Sequence, residues 1–374
     1  MKRIKKSIVI MLCLLIAGLG WWQPEVSAAA AGPDKTLYIA VGDSITSGYG
    51  LESFSNDDIK NRTSPDNFVI RLGKQLDIET VNFGVEGIDS TALLNSISKP
   101  VTKEQKEEVE QIKKASLITL SVGGNNVFIP FINAVSDKVG SGKNILNADA
   151  LDIQTAILGL LFDSEGLNKL KNNILKGAEV FTGNEKLHIA GDFAAIIGTV
   201  KTLNPDAEIV VQTIYNPFGF IMPDTLDKAI RSMNAEIIKG SENGKNYKVA
   251  DVYSAFAKAG KGIQLINADT GKSFDPHPNK KGHEVIYTLV AYAAGNKLPY
   301  SFKSNVKNGK AAATVTAGEL KVTVAPSKGY KLPQTIYLTI GKKAQLPLTL
   351  KNGAAAVPVA AIDGDIAVTA VCPK

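Results

Sequence analysis

Ser44 follows the apolar run Leu37–Val41 and the pair Gly42-Asp43. That puts it just past the carboxyl end of an expected strand, where open α/β sheets hold their chemistry. Gly, Asp and Ser are also what any turn prefers, so the triplet carries weight only with partners. A serine hydroxyl is a poor nucleophile until a base takes its proton, and the oxyanion formed by its attack needs donors already in place. The chain has three histidines, His188, His277 and His283. His277 stands between Pro276 and Pro278, whose fixed φ angles hold the imidazole in one place, and it is the expected base. His283 is expected on a helix, at the surface or behind the site. His188 is expected inside a helical insertion with a structural part.

Candidate donors also stand at strand ends. Val81-Asn82-Phe83-Gly84-Val85-Glu86-Gly87 closes a second strand, and its glycines let a backbone N–H approach a ligand closely. Ser121-Val122-Gly123-Gly124-Asn125-Asn126 closes a third with a Gly-Gly turn that brings amide side chains to the sheet edge. Either segment alone is an ordinary βα turn. Their order after successive strands is the signal.

The elements that must position these residues alternate as far as about Leu298, the pattern of a parallel sheet wrapped by helices. Expected strands are Leu37–Val41, Glu79–Phe83, Leu117–Val122, Glu208–Thr213 and Tyr247–Val252. Helical stretches cover Asn67–Gln75, Thr91–Ile97, Lys103–Lys114, Thr225–Ile238 and Asn279–Ala293. The charges of Lys103–Lys114 are mixed in sign, as on a solvated face. Residues 128–203 exceed one crossover helix. Ile153, Ile157, Leu160 and Leu161 fall on one helical face there, and Leu167, Leu170 and Ile174 on another. Two uses of this insertion stay open: packing on the domain's own core, or a cap supplying an apolar acyl pocket.

After Tyr300 the period changes. Glu319–Ala325, Thr335–Ile340, Gln345–Leu350, Ala355–Ala360 and Asp365–Val371 alternate as strands between turn signals, the pattern of a small all-β sandwich over residues 301–374. This tail holds ten lysines against Glu319, Asp363 and Asp365. It is expected to bind an anionic wall polymer or an acidic lipid surface, with a solubilising spacer as the alternative.

Lys2, Arg3, Lys5 and Lys6, the apolar run Ile8–Ile16 and Val26-Ser27-Ala28-Ala29 form the pattern of a secretory signal peptide cut after Ala28, with a retained anchor as the alternative. Cleavage would remove Cys13, Trp21 and Trp22 and lower the formal net charge from +6 to +3. Cys372 would then be the one cysteine, excluding an internal disulfide, and no indole would remain as a sugar-stacking platform.

Taken together, Gly42-Asp43-Ser44-Ile45, Asn82 to Gly87, Gly123-Gly124-Asn125 and Asp275 to His277 resemble the four blocks of the GDSL, or SGNH, hydrolase superfamily, over residues 36–296. The resemblance implies a flavodoxin-like three-layer α/β/α fold with a parallel sheet, acting on acyl esters without metal or organic cofactor. It implies Ser44 as nucleophile, His277 as base, and an oxyanion hole made of the Ser44 and Gly87 N–H groups and the Asn125 amide. The family's usual carboxylate stands three residues before the histidine, where this chain has Phe274. Asp275, two before it, or a backbone carbonyl then orients the imidazole. Asn126 stands where relatives often have Asp. The tail resembles immunoglobulin-like modules of bacterial surface proteins through Gly329-Tyr330-Lys331-Leu332-Pro333 and Ile362-Asp363-Gly364-Asp365-Ile366.

The expectation is an exported serine esterase or lipase-like hydrolase, extracellular or wall-associated in a Gram-positive bacterium, with no nucleic-acid partner. An O-deacetylase of cell-wall or extracellular polysaccharide is the second enzyme reading. A non-catalytic surface binding protein is the rival from another class.

Overall fold

The computed structural model describes residues 36–54, 64–139, 148, 150–218, 222–260, 262–270, 275–295 and 297–374. The expected signal segment, Phe274, and positions 140–147 and 149 of the expected insertion lie outside the described residues.

The chain runs β1 (Leu37–Gly42), a single turn α1 (Ser44–Ser47), α2 (Phe68–Leu76), β2 (Glu79–Gly84), α3 (Ser90–Ser98), α4 (Lys103–Ile112) and β3 (Leu117–Ser121). It continues through α5 (Gly124–Val139), α6 (Ala150–Phe162), α7 (Ser164–Thr182), a short hairpin of β4 (Gly183–Asn184) and β5 (Ile189–Ala190), and α8 (Asp192–Leu203). Then come β6 (Glu208–Gln212), α9 (Lys228–Gly240), β7 (Lys248–Ala250), α10 (Val252–Ala257) and α11 (Lys280–Gly295). The five long strands pair in parallel in the order β2-β1-β3-β6-β7, the flavodoxin-like arrangement. Apolar residues alternate across this sheet with period two. Ile39, Val41, Ile118 and Leu120 pack into one layer, and Tyr38, Ala40 and Leu117 into the other.

Helix starts follow a local rule. Asp43, Asn67 and Asp89 each turn a side-chain oxygen onto a backbone N–H of the following first turn, at 3.1, 2.8 and 2.8 Å. Asp251 does the same for α10, accepting from Ser254 N, which ends β7 two residues earlier than the apolar run suggests.

The insertion packs α6 and α7 against α5. Ile153, Ala156 and Leu160 are buried, but Leu161 is 47% exposed and joins Leu151, Leu158 and Phe162 on an outer face. At about 100° per residue, Leu161 lies roughly a quarter turn from the buried stripe, so the expected fourfold face is narrower than its apolar letters.

The C-terminal residues form β8 (Phe302–Lys307), β9 (Gly309–Thr316), β10 (Glu319–Pro326), β11 (Thr335–Ile340), β12 (Leu346–Thr349), β13 (Ala354–Pro358) and β14 (Ile366–Val371). They make a three-stranded sheet β13-β10-β9 and a four-stranded sheet β12-β11-β14-β8. β14 runs antiparallel to β11 and parallel to β8. Strands β8 and β9 escape the sequence pattern because most of their residues are small or polar; their turn at Asn308 takes φ +61°. The sandwich core joins the outer helix layer of the α/β sheet: Leu320 and Val359 share a buried cluster with Val285, Ile286 and Leu289 of α11. Lys258 Nζ reaches Glu319 Oε2 and the Ala317 carbonyl, both at 2.9 Å, and Tyr300 OH donates to Glu284 Oε1 at 3.1 Å.

Candidate active site

Ser44 begins α1 directly after β1, and its surroundings leave the chain little freedom. Gly42 has φ +150°, and a Cβ there would lie 2.1 Å from the Ser121 carbonyl, so only glycine lets β1 and β3 converge at this point. Asp43 N donates to that same carbonyl at 3.0 Å. Asp43 Oδ1 accepts from Ser121 Oγ at 2.9 Å and from Ile45 N at 3.1 Å. Burial pushes the Asp43 carboxyl up to about 6 even though both hydrogen bonds favour its ionised form. Asn82 and Asn67 both donate to the Thr46 carbonyl, at 2.8 and 3.0 Å, closing the elbow from below.

His277 approaches from a loop 233 residues later in the chain, with Nε2 2.9 Å from Ser44 Oγ. Its Nδ1 lies 2.5 Å from Asp275 Oδ1. That oxygen also accepts from His277 N at 3.0 Å, a tight turn in which an aspartate bonds the backbone two residues on. The turn explains how a carboxylate two positions before the histidine reaches the ring. Asp275 Oδ2 accepts from Asn267 Nδ2 at 2.8 Å, and the same amide reaches the Gly50 carbonyl at 3.1 Å. Burial raises the Asp275 carboxyl, but the hydrogen bond and charge of His277, with the Asn267 amide, outweigh it and leave it below its ordinary value. The loop is further tied by Tyr215 OH donating to the Pro276 carbonyl at 2.7 Å, and by the Tyr49 ring, 4.8 Å from the imidazole.

Ser44, Gly87, Asn125 and His277 line one cavity of about 610 Å³. Gly87 takes φ +75°. Asn125 Nδ2 donates to the Ile88 carbonyl at 2.8 Å, which fixes the amide across the β2 turn; an amide nitrogen carries two N–H donors, and one is used here. Asn126 accepts from Ser90 N at 3.1 Å and donates to Ser90 Oγ at 2.8 Å. Its Nδ2 also reaches the Gly177 carbonyl at 3.4 Å, a contact a carboxylate in its place would repel.

Of the two places expected for His283 it takes the one behind the site: it is completely buried, its ring stacks on Phe68 at 6.1 Å and Nδ1 accepts from Phe68 N at 3.4 Å. Burial drives its value down to about 3, so it stays neutral. His188 lies within the expected insertion, on its short hairpin between β4 and β5, with φ +54° and an exposed side chain. Sequence reasoning did not single out Asn267, Gly50 or Tyr215 as site residues. The glycine in Tyr49-Gly50 was the one available signal, since a Cβ there would lie 2.7 Å from Asn267 Nδ2 and 3.0 Å from Asp275 Oδ2.

A hydroxyl faces an imidazole that in turn faces a carboxylate, beside an amide and a glycine turn, an arrangement chemically able to activate the Ser44 hydroxyl. The sequence profile of the GDSL-like lipase/acylhydrolase family matches residues 40–285, and the chain belongs to this family. It is 23% identical over 264 residues to the uncharacterized protein YpmR of Bacillus subtilis (strain 168), covering 70% of this chain and 82% of that one. Among solved structures it is similar to phospholipase A1 from Streptomyces albidoflavus, with 18% identity, 70% of this chain and 100% of that one covered, and a TM-score of 0.46. It is also similar to an acetyl xylan esterase from Geobacillus stearothermophilus, with 16% identity, coverage of 71% and 97%, and a TM-score of 0.43.

Proposed function

We propose that this GDSL-family hydrolase cleaves carboxylic acyl esters through a Ser44 acyl-enzyme. The observation that carries the reading is the continuous chain Ser44 Oγ, His277 Nε2, His277 Nδ1, Asp275 Oδ1, with spacings of 2.9 and 2.5 Å between partners, at the edge of a cavity. His277 takes the hydroxyl proton at Nε2 as Oγ attacks the ester carbonyl carbon. Asp275 holds the Nδ1–H tautomer and stabilises the imidazolium that forms. The Ser44 and Gly87 N–H groups and the Asn125 amide receive the charge on the former carbonyl oxygen. Collapse breaks the bond to the alcohol oxygen, which leaves with the proton held at Nε2. Water, losing a proton to the same nitrogen, then attacks the acyl carbon and frees Ser44.

Export by the segment of residues 1–28 belongs to the same reading, supported by its basic start, apolar run and small-residue cleavage pattern. No described helix is long and apolar enough to cross a membrane.

The test is hydrolysis of a p-nitrophenyl butyrate solution by the purified chain lacking residues 1–28. Ser44→Ala should lower kcat about ten-thousand-fold with the far-UV circular dichroism unchanged. Turnover by that variant equal to the parent's would end the mechanism.

A further inference from the structure

Helix α5 places six residues of the cavity wall on one face: Asn125, Phe128, Ile129, Ile132, Asn133 and Ser136. Their spacing of three and one repeated is the period of a single helical stripe. The stripe starts at the amide beside Ser44 and runs down the helix axis. Its first part is apolar, and Val122 and Ile214 line the same cavity. Its second part is polar: Asn133 is exposed and Ser136 half-buried.

We infer that α5 is a ruler for the acyl chain, and that the substrates are esters of medium-chain fatty acids of about eight carbons. This deepens the hydrolase reading and rests on it. The acyl carbonyl must sit at Ser44 with its oxygen toward Asn125, so the chain's methylenes leave along the stripe that begins there. From Asn125 to Ile132 the helix rises about 10 Å. An extended hydrocarbon with carbon–carbon bonds of about 1.5 Å, foreshortened by its zigzag, spans that distance in roughly eight carbons. Methylenes up to that length leave water for Phe128, Ile129 and Ile132. Further ones emerge beside Asn133 and Ser136, where transfer out of water ends. Among the described residues, none of α6 or α7 lines the cavity, so the described apolar wall from the insertion is that of its first helix.

The experiment is kcat/KM on p-nitrophenyl esters from acetyl to palmitoyl, with the whole chain lacking residues 1–28. Each added pair of methylenes should raise kcat/KM about tenfold up to octanoyl, since a buried methylene is worth roughly three- to fourfold. Beyond decanoyl the gain should stop or reverse. Ile132→Trp should lower the octanoyl-to-acetyl ratio at least about tenfold, and Ser136→Leu should raise the dodecanoyl-to-octanoyl ratio about threefold. Should either variant fail to fold, the parent profile and the other variant still decide the matter. An optimum at acetyl, the outcome a deacetylase would give, overturns the ruler, as does an optimum at palmitoyl or a profile that neither substitution alters. These failures leave Ser44-dependent turnover intact. Absence of that turnover on every ester would instead remove the hydrolase reading beneath it.

Discussion

The two halves of the proposed catalytic pair are held by different means. Ser44 is braced by the sheet: Gly42 lets two strands close on one another, and Asp43, Asn67 and Asn82 pin the elbow with bonds among buried groups. His277 is braced by loops, through Asn267, Gly50 and Tyr215, whose bonds run from side chain to side chain or to carbonyls of other loops. Strand pairing cannot shift without unfolding the core, whereas a loop can move while the fold stands. Damage to the first half should therefore register as lost stability, and damage to the second as lost turnover.

The sharpest way to break that contrast is a pair of glycine substitutions. Gly42→Ala should cost about 3 kcal/mol or more in urea unfolding, because its Cβ meets backbone at 2.1 Å. Gly50→Ala meets side chains that can yield, at φ +88°, so it should cost roughly 1 kcal/mol in the same measurement while reducing kcat at least about tenfold. Equal losses of stability would erase the distinction. A milder effect is expected at Asn267→Leu, which removes one donor from Asp275. A hydrogen bond to a charged group predicts a fall in kcat/KM of roughly tenfold at unchanged Tm. A Tm drop as large as that of Gly42→Ala would place Asn267 with the sheet.

A further prediction concerns acidity. The Asp43 carboxyl stands at about 6 in the folded chain against 3.8 ordinarily, because burial disfavours its charge. Between those values the folded protein binds more protons than the unfolded one, so this group's contribution to stability falls as pH rises from about 4 to 6. Asp43→Asn lacks that slope. The Tm of the variant minus that of the parent should grow across this window and level off above it. A difference independent of pH would show the carboxyl to be no more burdened than a solvated one.

Legibility followed the same division. Ser44, Gly87 and Asn125 stand in short motifs at strand ends, and the strands themselves are apolar runs whose burial is complete in β1 and β3. Their positions follow from local sequence because a strand delivers its last residue to the sheet edge. His277 was visible through its flanking prolines. Asn267 and Tyr215 were not, since nothing near Asn267 in sequence says that its loop meets Gly50, and Tyr215 looks like one more apolar residue after a strand. For His283 local sequence left two places open, and the neighbour that decides between them, Phe68, lies 215 residues away. In the tail, β8 and β9 are mostly small or polar residues, and Phe302, Val306 and Val315 are too few to mark an apolar alternation.

The position of β14 between β11 and β8 bears on how the molecule is made. A chain leaving the ribosome exposes β8 first and β14 last, yet β14 is the strand to which β8 pairs. The four-stranded sheet cannot assemble until residue 371 has emerged. The five parallel strands are complete by residue 250, so the α/β sheet can form during synthesis while β8 and β11 wait for the strand that joins them.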